Sequence, residues 1–70
     1  MKITMTATEK LTEINGVQAR LWEGITDQGV KCKVFVHRLA VHRSEDHTQF
    51  EKELIEKMPG GVLYNLRDIL

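Results

Sequence analysis

LTEINGVQARLWEGITDQGVKCKVFV, residues 11–36, is the stretch whose reading decides the fold. Asn15-Gly16 within it is the strongest short hairpin signal, because both residues tolerate the positive φ that a two-residue turn needs. Leu11–Ile14 leads into the turn as a short strand. Val17–Ile25 leaves it, apolar at Val17, Ala19, Leu21 and Ile25 in the period of two that a half-buried strand requires. Thr26-Asp27-Gln28-Gly29 is a second turn, and Val30 to about Val41 reads as a long third run. Upstream, Ile3, Met5 and Ala7 alternate with Lys2, Thr4, Thr6 and Thr8, which predicts another half-buried strand. The expectation is a curled antiparallel sheet of three to four strands spanning residues 2–42.

A four-residue loop at Thr26–Gly29 sets Ile25 against Val30, Leu21 against Val34 and Ala19 against Val36, apolar on apolar. Glu23 against Cys32 is the misfit in that register. The opposite face then gathers Trp22, Arg20, Phe35, Lys31 and Lys33, with His37 further along. Lysines around a tryptophan permit cation–π contact, and such a basic-aromatic surface suits an acidic partner or a single nucleic-acid strand. The competing reading is that a helix covers Trp22 and Phe35 while the lysine stems run around the rim. Beyond Val36 the apolar phase slips from even positions to Leu39 and Val41, which predicts a bulge or bend near His37-Arg38.

Downstream the period becomes helical. Ser44 reads as an N-cap with Glu45 and Asp46 in the first turn, near the positive end of the helix dipole. Thr48-x-x-Glu51 offers a capping box one turn later. Phe50, Leu54 and Met58, with Ile55 beside them, form the apolar stripe, and Pro59-Gly60-Gly61 ends the helix, giving residues 45–58. Val62, Leu63, Leu66, Ile69 and Leu70 repeat at helical spacing in a segment, 62–70, too short to be stable undocked. The class is α+β, one domain over residues 1–70 with one packed helix and a short docked C-terminal segment.

The chain has 70 residues with Lys+Arg 10 and Asp+Glu 10, a hydrophobic fraction of 41% and a charged fraction of 29%. That balance belongs to a folded domain and excludes collagen-like, low-complexity and strongly basic histone-like classes. The charge is unevenly spread. Arg20, Lys31, Lys33, Arg38 and Arg43 against Glu23 and Asp27 leave residues 17–43 at +3. Glu45, Asp46, Glu51, Glu53 and Glu56 against Lys52 and Lys57 leave residues 44–58 at −3. Glu45, Asp46, Glu51 and Glu53 are therefore an alternative, acidic binding surface able to stand in for phosphates. No apolar run approaches the roughly 18 residues of a membrane span. Met1–Thr8 alternates as a strand does and does not read as a secretory signal. Cys32 is the only cysteine, so no intrachain disulfide forms, which suits a reducing compartment, most simply a cytoplasm. A domain this small buries only about 60% of its unfolded surface. Oligomerisation is the open remedy, as a homodimer burying Val62, Leu63, Leu66, Ile69 and Leu70.

Chemistry is sparsely represented. His37, His42 and His47 are spaced by five and Cys32-x4-His37 matches no common zinc spacing, so neither a metal nor another cofactor is expected. Ser44-Glu45-Asp46-His47 holds the groups of a triad, but consecutive residues serve better as a cap and first turn. Cys32 among apolar strand positions reads as an inert thiol, and Gly60-Gly61 opens no phosphate loop. No catalytic residue is assigned, and the expectation is a protein that is not an enzyme.

Trp22-Glu23-Gly24-x-Thr26-x-x-Gly29, then Val36–Val41, then Ser44-Glu45-Asp46-x-x-x-Phe50-Glu51-x-Glu53-Leu54 resembles small uncharacterised accessory proteins of bacteriophages and prophages. The resemblance covers about half the chain and implies a module that inhibits or redirects host machinery, as anti-CRISPR proteins do. Ala40-Val41-His42-Arg43-Ser44-Glu45 resembles a stretch of the carbon-storage-regulator translational repressors, strand-swapped dimers that bind messenger RNA. By that resemblance Arg43 is an RNA contact. The chain departs from that family in lacking an arginine in its first strand and the Asn-Ala-Pro element, and in its acidic helix. Three functions follow as expectations: a phage-type module binding a host protein, an RNA-binding regulator using the basic-aromatic face, and a structural subunit.

Overall fold

A computed structural model describes residues 1–55 and 63–70, Ile55 by its backbone alone. Three strands, β1 (Ile3–Ile14), β2 (Val17–Thr26) and β3 (Lys31–Val36), form an open antiparallel sheet in the order β1-β2-β3. Two helices follow, α1 (His47–Ile55) and the single turn α2 (Leu66–Ile69). The class is α+β. Met58, Pro59-Gly60-Gly61 and Val62 of the expected helix stripe, stop and docking segment lie outside the described residues.

The first hairpin forms as its turn dictates. Ile14 pairs with Val17 across Asn15 and Gly16, at φ 51 and φ 80. Both positive values are the requirement that selects Asn-Gly. Leu11–Ile14 is not a separate strand: β1 runs unbroken, with an irregularity between Ala7 and Leu11. There the pairing passes from Ala7 opposite Trp22 to Leu11 opposite Arg20, so surplus residues on β1 bulge outward. The Thr8 hydroxyl fills the gap in the ladder, donating to the Leu21 carbonyl at 2.7 Å.

The second hairpin corrects the expected register by one residue. Gly29 sits at φ 86 and its N–H donates to the Thr26 carbonyl, while the Thr26 N–H donates to the Val30 carbonyl. The loop is therefore three residues, Asp27–Gly29, of the kind in which a glycine takes the left-handed position after a tight turn. Trp22 pairs with Val34, Leu21 with Phe35, Gly24 with Cys32 and Glu23 with Lys33. The Glu23–Cys32 misfit disappears, and Glu23 instead forms an ion pair with Lys33 at 3.8 Å. β3 stops at Val36 and the chain bends at His37, so the apolar phase slip marks the end of the sheet and not a strand running on to Val41.

Paired residues share a face, so the ladders divide the sheet in two. One face carries Thr12, Ala19, Leu21, Glu23, Lys33 and Phe35, and the other Leu11, Arg20, Trp22, Gly24, Cys32 and Val34. Among the described residues the buried ones are Thr12, Ala19 and Leu21, all on the first face, and Ile69 of α2, which packs on β1. The last residues reach that face by backbone bonding: Leu63 bridges to Leu11, the Tyr64 N–H donates to the Leu11 carbonyl at 2.8 Å, and the Thr12 hydroxyl donates to the Tyr64 carbonyl at 2.8 Å. Asn65 caps α2 by accepting from the Arg67 N–H.

Candidate protein-interaction face

The Trp22 face is assembled from β2, β3, the 37–46 connection and α1. α1 starts where Asp46 can cap it, its Oδ1 accepting the Gln49 N–H at 3.0 Å. This corrects both expected caps. The Ser44 hydroxyl is instead engaged by His42 Nδ1 at 2.7 Å, Thr48 lies inside the helix, and no acidic residue occupies the first turn. From that start, Phe50 and Leu54 fall one turn apart on the side that meets Trp22.

Trp22, Leu39, Phe50, Leu54 and Glu53 line a depression of about 200 Å³. A second, of about 180 Å³, adjoins it and shares Trp22, Leu39 and Leu54, with Arg20, Val36, His37 and Arg38 completing the wall. Leu39 is 40% exposed at their junction. The Trp22 indole nitrogen is buried and has no hydrogen-bond partner among the described residues, and a buried donor left unpaired costs about 1–3 kcal/mol. The face is therefore apolar, pitted and imperfectly closed.

Arg20 ties its parts together. Its Nε donates to the Thr8 carbonyl freed by the β1 bulge at 2.6 Å, and its Nη1 donates to the Leu54 carbonyl of α1 at 2.9 Å. Its guanidinium carbon lies 5.9 Å from the centre of the Trp22 ring. Arg20 is thus a clamp between sheet and helix, not a group held out to solvent.

The expected basic-aromatic surface is not a single surface. Trp22 and Arg20 lie on one face; Lys31, Lys33 and Phe35 lie on the other, because the three-residue loop sets odd β3 positions beside Leu21. On that second face Thr4, Thr6, Glu23, Ile25, Lys31 and Lys33 border an open trough of about 530 Å³. None of those side chains is a buried polar group, and Lys33 is partnered by Glu23. Arg43 stands exposed in the turn before α1, and Glu45 is exposed beside it. Of the acidic set, Asp46 serves as the cap, Glu51 is exposed on α1, and Glu53 reaches the rim of the Trp22 depression. Leu39 is the member of the face that sequence reasoning missed as a site residue; its off-phase position after Val36 was the available signal.

Cys32 is half-buried above Gly24, where its sulfur and the Ile3 side chain occupy the space a Cβ would need. Among the described residues no group of three His, Cys, Asp or Glu side chains is placed to hold a metal ion, and no helix is long and apolar enough to cross a membrane. The chain matches no protein-family model, no curated protein and no solved structure.

Proposed function

We propose that the chain is a small phage-type module that binds and modulates a host protein stoichiometrically, in the cytoplasm of a bacterial host and without catalysis. The observation that carries this reading is the Trp22 face: an apolar, pitted surface rimmed by Glu53, Arg38 and His37, with an exposed leucine at its centre. Aromatic and arginine residues in a partly desolvated patch are what concentrate binding energy at protein interfaces. Leu39 and the outer edge of Trp22 are the contacts, Glu53 and Arg38 the polar rim, and Arg20 holds the platform.

The RNA reading keeps Arg38 beside Trp22 but loses Lys31 and Lys33 to the other face, whereas a nucleic-acid strand needs cations and stacking rings along one path. The acidic reading keeps Glu45, Glu51 and Glu53, all exposed, and loses Asp46 to the helix cap. The unit of function is a homodimer. Its seam does not include Ile69, which is 4% exposed within its own chain.

Capture from a bacterial lysate, with and without nuclease, tests the reading when wild type is compared with Leu39→Asp. The expected result is a defined protein retained after nuclease by the wild type and lost by the variant. Equal capture by both, or a catch that vanishes with nuclease, contradicts the reading.

A further inference from the structure

The two outer edges of the sheet are treated differently. β3 carries Lys31 and Lys33 on its exposed edge and ends in a bend, the features that keep an edge from recruiting another strand. β1 from Ile3 to Thr8 has no charge, no proline and no bend. The direction of its hydrogen bonds follows from the ladder. The Asp27 N–H donates to the Lys2 carbonyl, so Lys2, Thr4 and Thr6 face β2 while Ile3, Met5 and Ala7 turn their backbone groups outward. Further along the same edge, Leu11 also faces outward, and its carbonyl is taken by Tyr64. Ile3, Met5 and Ala7 have no such partner among the described residues.

We propose that a second copy of this chain fills that gap, its β1 adding antiparallel to β1 about a two-fold axis at Met5. Ile3-Thr4-Met5-Thr6-Ala7 reads the same in both directions by residue class. Antiparallel pairing about Met5 therefore sets Met5 on Met5, Ile3 on Ala7 and Thr4 on Thr6 of the second copy, with no like charges opposed. The apolar residues of both copies fall on the Trp22 face and the threonines on the other. The length also fits: Met1 of the second copy comes opposite Glu9, which stops short of the Leu11 site held by Leu63 and Tyr64. The six-stranded sheet that results joins two Trp22 faces side by side.

The exposed area leaves room for such a seam. The chain exposes 5867 Å², whereas a compact monomer of 8.1 kDa exposes roughly 4,500 Å². The inference rests on the homodimer reading and names its seam, and the two fail differently in the test below.

Sedimentation of the wild type across micromolar to millimolar concentrations is expected to show a monomer–dimer equilibrium. Met5→Pro removes only an outward-facing N–H, so it is expected to abolish the dimer while far-ultraviolet circular dichroism keeps its strand signature. Met5→Cys in a Cys32→Ser background is expected to oxidise to a disulfide-linked dimer, since directly paired Cα atoms fall within disulfide range. Val34→Cys in the same background, on the β3 edge, is expected to stay monomeric. A wild type monomeric throughout overturns both the homodimer and its seam. A dimer that crosslinks through Val34→Cys and not Met5→Cys overturns the seam alone. Should Met5→Pro fail to fold, the two cysteine variants decide the matter.

Discussion

The Leu21 face and the Trp22 face are two sides of the same three strands, but they are covered by different means. Around Thr12 the Leu21 face is met by residues 63–70, which are fastened through backbone and hydroxyl hydrogen bonds at Leu11, Thr12 and Tyr64 and bury Ile69, while toward Glu23 and Lys33 the same face stays open as the trough. The Trp22 face is covered by α1, which leaves two depressions, an exposed Leu39 and an indole N–H without a partner among the described residues. Both faces are apolar at their centres, so burial alone does not separate them. The difference is that one cover satisfies the polar groups it buries and the other does not. A domain of this size can complete one core; the remaining apolar face is what it has to offer a partner.

Substitutions that strike one face and spare the other test this contrast. Leu21→Ala, at a side chain 1% exposed, is expected to cost about 2–5 kcal/mol. That is most of the stability of a domain this small, and a urea midpoint shifted by less than the equivalent of about 1 kcal/mol would show that the core lies elsewhere. Thr12→Val leaves the Tyr64 carbonyl without its donor and is expected to cost about 1–3 kcal/mol. It should accelerate hydrogen exchange at the Tyr64 amide before that of the β2 amides. Asp46→Ala removes the α1 cap for about 1 kcal/mol. Its loss should appear as reduced helical signal with the strand signal retained; an unchanged helix would place the cap at another residue. Leu39→Asp is expected to lie within about 0.5 kcal/mol of wild type in stability while removing partner capture. If it unfolds the protein, Leu39 belongs to the core.

Sequence pattern carried much of the architecture because its strongest signals are local. Asn15-Gly16 fixes the first hairpin by backbone conformation alone, and Phe50 and Leu54 fix the inward side of α1. The second turn was legible as a turn but not in its length. Once Gly29 takes a positive φ the loop shortens to three residues, and that single step moves Lys31, Lys33 and Phe35 to the face opposite Trp22. The candidate site was therefore half legible: Trp22 and Arg20 stand together, and their supposed neighbours do not. Ser44, Asp46 and Thr48 are all competent caps by composition, and only the chain's path chooses Asp46. The β1 bulge and the Leu11–Leu63 bridge had no local signal, since each depends on a residue distant in sequence.

Native-state hydrogen exchange, read amide by amide, tests the contrast between the faces most directly. The Ala19 and Glu23 amides lie in the β1–β2 ladder, and the Tyr64 amide is bonded to the Leu11 carbonyl. The Phe50 amide, bonded to the Asp46 carbonyl at 3.1 Å, reports on α1. The account predicts that the first three exchange at the slow, global rate and that Phe50 exchanges at least ~100-fold faster through local detachment of the helix. Equal protection of Phe50 and Ala19 would contradict it, because α1 would then be part of one cooperative core and the Trp22 face would be closed.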